Sequence, residues 1–251
     1  MHTRYKGLQS MKSFPPTRAA RQPTWVSALA VRIRTLWLAK MLGTSISIAA
    51  FFPLYFWIMQ AVSHRAVPVP SGGLDDMIAV QQWAIVPYAS LWVYVSLPPA
   101  FAANVKAILA YATGALIMVA AGIAVYWLWP TYVAPSGIDW SQYPMLQLIK
   151  ASDSGGNAFP SLHVAFALYA ARVLCSQLSS IRAPRWTHVA NGVWCAAIIY
   201  STLATRQHVL LDVMGGAIAA WVSLHLVWGT FKLRRASSGR GLFTSQSRLD
   251  E

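Results

Sequence analysis

Charge is what this chain has least of. Only 11% of its 251 residues are Asp, Glu, Lys or Arg, where a soluble domain carries roughly a quarter. The hydrophobic share is 56%, and it comes in blocks rather than at one-sided helical spacing, which sets a soluble globular domain aside. Cysteine is nearly absent. Cys175 and Cys195 both fall inside apolar blocks, so a disulfide framework is excluded and both read as packing residues. Acidic residues number seven, too few to suggest a carboxylate cluster around a metal. No internal repeat or low-complexity tract stands out, which points to one domain. A convincing small-residue cleavage site is missing after the first apolar block, and that block starts too late for an ordinary secretory signal. It reads as a retained signal anchor.

What the chain does have is long apolar runs. A membrane-spanning helix needs roughly 20 mainly apolar residues, and six blocks approach that length, at 45–62, 83–103, 106–129, 160–178, 188–205 and 208–230. The expected fold is an all-α, polytopic membrane helical bundle with six transmembrane helices. Residues 1–44 form a basic cytoplasmic or interfacial segment, 45–230 the six-helix domain and 231–251 a basic cytoplasmic tail. The stretch 25–37 is apolar enough to lie along the headgroups. Pro87, Pro98 and Pro99 leave the second block open to a kink.

The net charge of +13 could suggest a nucleic-acid partner, but topology accounts for it without one. Lys and Arg crowd the segment before the first block, the stretch after the fourth (Arg172, Arg182, Arg185) and the tail, with Lys106 between blocks two and three. Six spans with both termini cytoplasmic put all of these on one side and leave Arg65, Lys150 and Arg206 for the other, as the positive-inside rule requires. The basic tails can also touch anionic headgroups. Cysteine-poor outer loops suit a bacterial cytoplasmic membrane.

Two long loops, 64–82 and 130–159, face the non-cytoplasmic side and carry Asp75, Asp76, Asp139 and Asp153. The second leads into Gly155-Gly156-Asn157-Ala158-Phe159-Pro160-Ser161-Leu162-His163. Its glycines permit close backbone approach, and free amides at a helix start beside the Ser161 hydroxyl make an anion seat. His163 lies in that first turn; its bland alternative is a polar cap. Thr205-Arg206-Gln207-His208 forms a short turn between the last two blocks, so both histidines lie at one membrane face. His208 and Asp212 are four residues apart and share a helix side. An ionisable residue one turn inside a span needs a partner or a task. A carboxylate that fixes one imidazole nitrogen leaves the other as nucleophile or base, and a buried structural pair is the alternative.

Pro160-Ser161-Leu162-His163 followed by Ser201-Thr202, His208 and Asp212 resembles the second and third signature motifs (P-S-G-H and S-R-x5-H-x3-D) of the type 2 phosphatidic acid phosphatase (PAP2) superfamily. The variants look closest to the branch that includes inositol phosphorylceramide synthases, and 87–96 resembles the second span of that branch. The resemblance covers roughly 75–228. It implies that His208 attacks phosphorus, Asp212 orients it, and His163 protonates the leaving oxygen, with no metal or other cofactor. A His/His/Asp metal site is the competing reading of the same residues. The sequence departs from the family at Thr202, where arginine is usual, and at Leu162, where glycine is usual. The basic first motif, K-x6-R-P, is not recognisable on the outer side. Ser161, Leu162 and Thr202 are then candidate substrate contacts, with Lys150 and Arg206 as the available cations.

The preferred function is hydrolysis of a lipid phosphate or diphosphate, of the phosphatidate or polyprenyl diphosphate type, through a phosphohistidine. The alternative is headgroup transfer of the inositol phosphorylceramide synthase type; a transporter or scaffold comes third, because the polar residues gather at one surface rather than at paired broken helices. The expected partners are a lipid phosphate substrate and membrane lipids, without nucleic acid; the oligomeric state is not assigned.

Overall fold

The structure, a computed structural model, describes residues 24–135, 137–152 and 155–227. The basic residues of 1–23, Asp153 and the expected tail at 231–251 lie outside them. Helix α1 (Trp25–Arg34) starts where Thr24 Oγ1 accepts from the Ser27 amide. Leu36, at φ 55°, turns the chain into α2 (Trp37–Val62), so the first long apolar helix begins before the expected residue 45. A paired strand, β1 (Val67–Pro68), and a short helix, α3 (Gly73–Asp76), follow. Three short helices come next: α4 (Ile85–Ala89), α5 (Leu91–Tyr94) and α6 (Leu97–Ala100). Then come α7 (Val105–Leu128), β2 (Thr131–Tyr132), α8 (Pro144–Ser152), α9 (Leu162–Ser180), α10 (Arg185–Ala204) and α11 (Leu210–Val227).

The fold is mostly helical, and the expectation of six spans is corrected to four. Among the described residues, the helices long and apolar enough to cross a membrane are Trp37–Arg65, Val105–Leu128, Leu162–Ser180 and Leu210–Val227. The second expected span, 83–103, is broken into α4, α5 and α6, with Pro87 inside α4 and Pro98 and Pro99 inside α6. Each proline removes an amide donor and clashes with the preceding turn. The fifth, α10, has the length but not the apolarity, because Arg185, Thr187, His188 and Asn191 occupy its first two turns. Pro53 sits inside α2 without ending it, as membrane helices allow.

Cross-contacts define two ends of the bundle. At one end β1 pairs in parallel with β2, Val67 opposite Thr131. The Gln81 amide donates to the Ala204 carbonyl at 3.0 Å and the Ser161 amide to the Asp212 carbonyl at 3.1 Å. At the other end the Arg32 guanidinium reaches the Gln177 carbonyl (3.2 Å) and Ser180 Oγ (2.9 Å), docking α1 on the end of α9. Lys40 is buried there, its ammonium donating to the carbonyls of Arg32, Ala100 and Ala102 at 2.6–3.0 Å.

Helix α9 is the centre. Ala167, Ala170 and Leu174 pack against α5 and α10 through Leu91, Tyr94 and Ile198. Ala165 and Tyr169 pack against Met118 and Ala220 of α7 and α11. Several polar groups inside the bundle are paired, as an apolar surrounding favours. Tyr94 donates to Asn191 Oδ1 (2.7 Å), Asn191 Nδ2 to the Ala171 carbonyl (2.9 Å), and Ser223 Oγ to the Gly114 carbonyl (2.8 Å).

Candidate active site

The turn from α10 to α11 is closed by the backbone. The Thr202 carbonyl accepts from the amides of Gln207 and His208, both at 3.1 Å, and Arg206 takes a left-handed φ of 54°. His208 then stands two residues before α11 and Asp212 in its first turn, both buried. His208 Nδ1 lies 3.4 Å from Asp212 Oδ2, while that oxygen accepts from the Val209 amide at 2.9 Å. Nδ1 and Asp212 Oδ1 are both buried without a hydrogen-bond partner. Two unsatisfied polar atoms across one helical turn are rare in a structural pair. They fit a resting catalytic pair, whose contact is often long before substrate binds.

The start of α9 brings in the other histidine. Gly156, at φ 95°, lets the chain pass Val62, whose Cγ2 would lie 2.7 Å from an added Cβ. The loop is tied down by the Thr131 carbonyl, which accepts from the Gly156 and Ala158 amides, and by Tyr126, whose hydroxyl donates to the Pro160 carbonyl at 2.7 Å. Ser161 caps α9, its Oγ accepting from the Val164 amide. The His163 ring stacks on Tyr88 with centroids 4.1 Å apart, and Nε2 lies 3.3 Å from the Tyr88 carbonyl. A carbonyl can only accept, so that contact requires the proton on Nε2.

His163 and His208 line one cavity of about 190 Å³, walled by Tyr55, Tyr88, Trp92 and Tyr126 and edged by Asn157 and Gln207. The other residues expected at the site fall elsewhere or face away. Ser161 is fully buried, and its amide is engaged by Asp212. Leu162 lines the cavity but also fills the gap left by Gly122 of α7, packing with Ile58 and Tyr126. Thr202 is fully buried and donates to the Ile199 carbonyl. Lys150 and Arg206 line a neighbouring polar cavity of about 480 Å³, which shares Asn157 and Gln207 with the first. Lys150 donates to the Arg206 carbonyl at 2.6 Å and lies 5.3 Å from the Trp140 ring centre. The Arg206 guanidinium donates to the carbonyls of Asp75 and Ile78 at 2.8 and 2.9 Å. Nearby, hydrogen bonds from the Ser141 hydroxyl and amide and from Gln142 hold the Asp139 carboxyl below its usual range.

Several site groups carry no local sequence signal. Asp75 is buried and accepts from Leu210 N at 2.7 Å and Gly72 N at 2.8 Å, so a carboxylate from a distant loop caps α11 beside the histidine turn. Tyr88, which carries His163, and Tyr55, which accepts from the Asn157 amide, read in sequence as ordinary span residues. Only Asn157 lies in a motif-bearing loop, where its neighbours could have flagged it.

The two histidine elements are also locked together by close packing. A Cβ on Gly216 of α11 would lie 2.4 Å from the Ser161 carbonyl oxygen and 3.0 Å from Val164 Cβ. Backbone cannot yield there, so Gly216→Ala must push α11 off α9, at about 1–3 kcal/mol. Because His208 and Asp212 ride on that helix, turnover should fall about 10- to 100-fold alongside a lower thermal midpoint. Full activity in this variant would show that the register of the two helices does not matter to the site.

A family model described as the PAP2 superfamily matches residues 103–236, just over half of the chain. The match runs from α7 through α11 and takes in His163, His208 and Asp212. No curated protein and no solved structure matches.

Proposed function

The chain belongs to the PAP2 superfamily, and on that premise we propose that it hydrolyses a lipid phosphate or diphosphate through a phosphohistidine on His208. The observation that carries the reading is the single cavity lined by His163 and His208, with Asp212 one turn behind the latter. His208 Nε2 attacks phosphorus, and the bond to the lipid oxygen breaks as His163 delivers a proton to it. Water then attacks the phosphohistidine, giving its proton back to His163 and releasing inorganic phosphate. Asp212 holds the ring and stabilises its positive charge. Phosphoryl transfer of this kind is mostly positioning and charge stabilisation. With the Ser161 amide engaged, the side-chain amides of Gln207 and of Asn157, which has a second N–H besides the one given to Tyr55, stand at the cavity edge to meet phosphoryl oxygens.

We place this end of the bundle on the non-cytoplasmic face. Arg32, Arg34, Lys106, Arg182 and Arg185 gather at the opposite end, and Lys and Arg near span ends are retained in the cytoplasm.

Headgroup transfer, as in the inositol phosphorylceramide synthase branch, is a second reading with its own support. The adjoining 480 Å³ polar cavity could hold a second alcohol, and the charges of Lys150 and Arg206 lie in it rather than beside the histidines. Purified protein given labelled phospholipid with excess diacylglycerol, ceramide or polyprenol, and separately a panel of lipid phosphates and diphosphates, separates the two. Released inorganic phosphate is the expected result. A labelled phospholipid product with negligible free phosphate would overturn hydrolysis.

A further inference from the structure

A second cavity adjoins the histidine site. It is a groove of about 440 Å³ between α2 and α7, lined by small and apolar residues including Gly43, Ile48, Ile108, Ala112 and Ala115. Phe51, Trp92 and Phe166 line both this groove and the histidine cavity, so the two adjoin across these three rings. Ser47 offers no hydroxyl donor to it, since its Oγ donates back to the Gly43 carbonyl at 2.7 Å. Lys40 lines the far end. Its ammonium, held by three carbonyls, joins α1, α2 and the segment after α6. From Phe51 to Lys40 the α2 axis rises about 16 Å.

We propose that this groove holds one apolar tail of the substrate whose phosphate lies between His163 and His208, and that Lys40 sets the longest tail it accepts. The proposal rests on the phosphatase reading above and adds how substrates are told apart. Adjacency to the histidine cavity favours a substrate tail over bulk lipid, because a headgroup seated there sets its chain against the three rings that border the groove. A tail long enough to press on Lys40 must displace the ammonium from its carbonyls and leave all of them unsatisfied among apolar atoms, a steep cost. Shorter tails gain apolar burial with each added methylene until that point.

The test uses the full chain in detergent with alkyl phosphates that carry a diazirine at the tail end. Adducts are mapped by peptide mass spectrometry, and a diazirine phosphatidylcholine reports bulk lipid. The alkyl phosphate is expected on the half-buried Thr44, Ile48 and Ile108 of the groove, and the phosphatidylcholine on the outward-facing Leu42 and Leu109. Nothing lies within 4 Å of a Cβ at Gly43, so Gly43→Trp fills the groove and should cut groove adducts about tenfold or more. Unlabelled competitors should strengthen with tail length, then weaken about tenfold once the tail end reaches Lys40. Equal groove labelling by phosphatidylcholine, adducts confined to outer residues, or labelling unchanged by Gly43→Trp would each overturn the groove. Competition that stays level across all longer tails would overturn the Lys40 stop. Phosphate release from the same samples keeps the two readings apart: release without groove adducts sinks the groove alone, and groove adducts without release sink hydrolysis alone.

Discussion

Replacing His208 with alanine lowers turnover on every lipid phosphate by about a thousandfold or more, and no acid-labile phosphoprotein accumulates on rapid quenching. The reasoning starts from the turn. Two amides bonded to the Thr202 carbonyl fix the backbone of His208, and the ring then lies with one nitrogen toward Asp212 and the other free to meet the cavity. Alanine removes the proposed nucleophile without touching those backbone bonds, so the variant should unfold at a wild-type thermal midpoint. Asp212→Asn should lose less, because the ring keeps its place while the charge behind it goes. The two losses should combine far below the product of the single effects, since both act through one imidazole. The measurement is a quenched single turnover with labelled substrate. A phosphoenzyme of normal yield in His208→Ala would mean that another residue takes the phosphoryl group.

How much of this was open to sequence reasoning depended on how local the signal was. The His208–Asp212 pair is legible because an i, i+4 spacing places both on one helical face, and the two-residue gap before His208 allows no crossing of the bundle. His163 is legible through the glycine-to-proline approach to its helix. The span count failed for a physical reason. A hydropathy window sums composition over 83–103 and registers apolarity, but the backbone there runs as three short helices, and Pro98 and Pro99 withhold the amides that would have joined α5 to α6. Over 188–205 the apolar second half of α10 carries the reading, although Arg185, Thr187, His188 and Asn191 in its first two turns leave the helix short of a span's apolarity. The rest of the site depends on long-range contacts. Asp75 reaches Leu210 across 135 positions of chain, and Arg206, read as a phosphate cation, is turned onto carbonyls of that same distant loop. At the anion seat expected beside Ser161, the Ser161 amide itself is taken by a pairing invisible in the motif, its bond to the Asp212 carbonyl. That bond has a use of its own, since it sets the two motifs in register.

Substituting His163 with alanine should separate substrates by their leaving groups. A general acid matters most when the departing oxygen is basic, so turnover of an alkyl lipid phosphate should fall about 10²- to 10⁴-fold. A nitrophenyl phosphate, whose leaving group departs without a proton, should lose no more than about tenfold. The contrast is specific to proton delivery. If His163 only shaped the cavity through its stack on Tyr88, both substrates would suffer alike, because both need phosphorus in line with His208. Tyr88→Leu supplies the comparison. Leucine takes away the ring that orients His163 but leaves the imidazole and the backbone carbonyl facing its Nε2, so the leaving-group contrast should survive at a reduced overall rate. The assay is kcat and kcat/KM for the alkyl and nitrophenyl substrates across wild type and both variants. Equal losses for the two substrates in His163→Ala would remove His163 from the acid's role and leave it as a wall of the cavity.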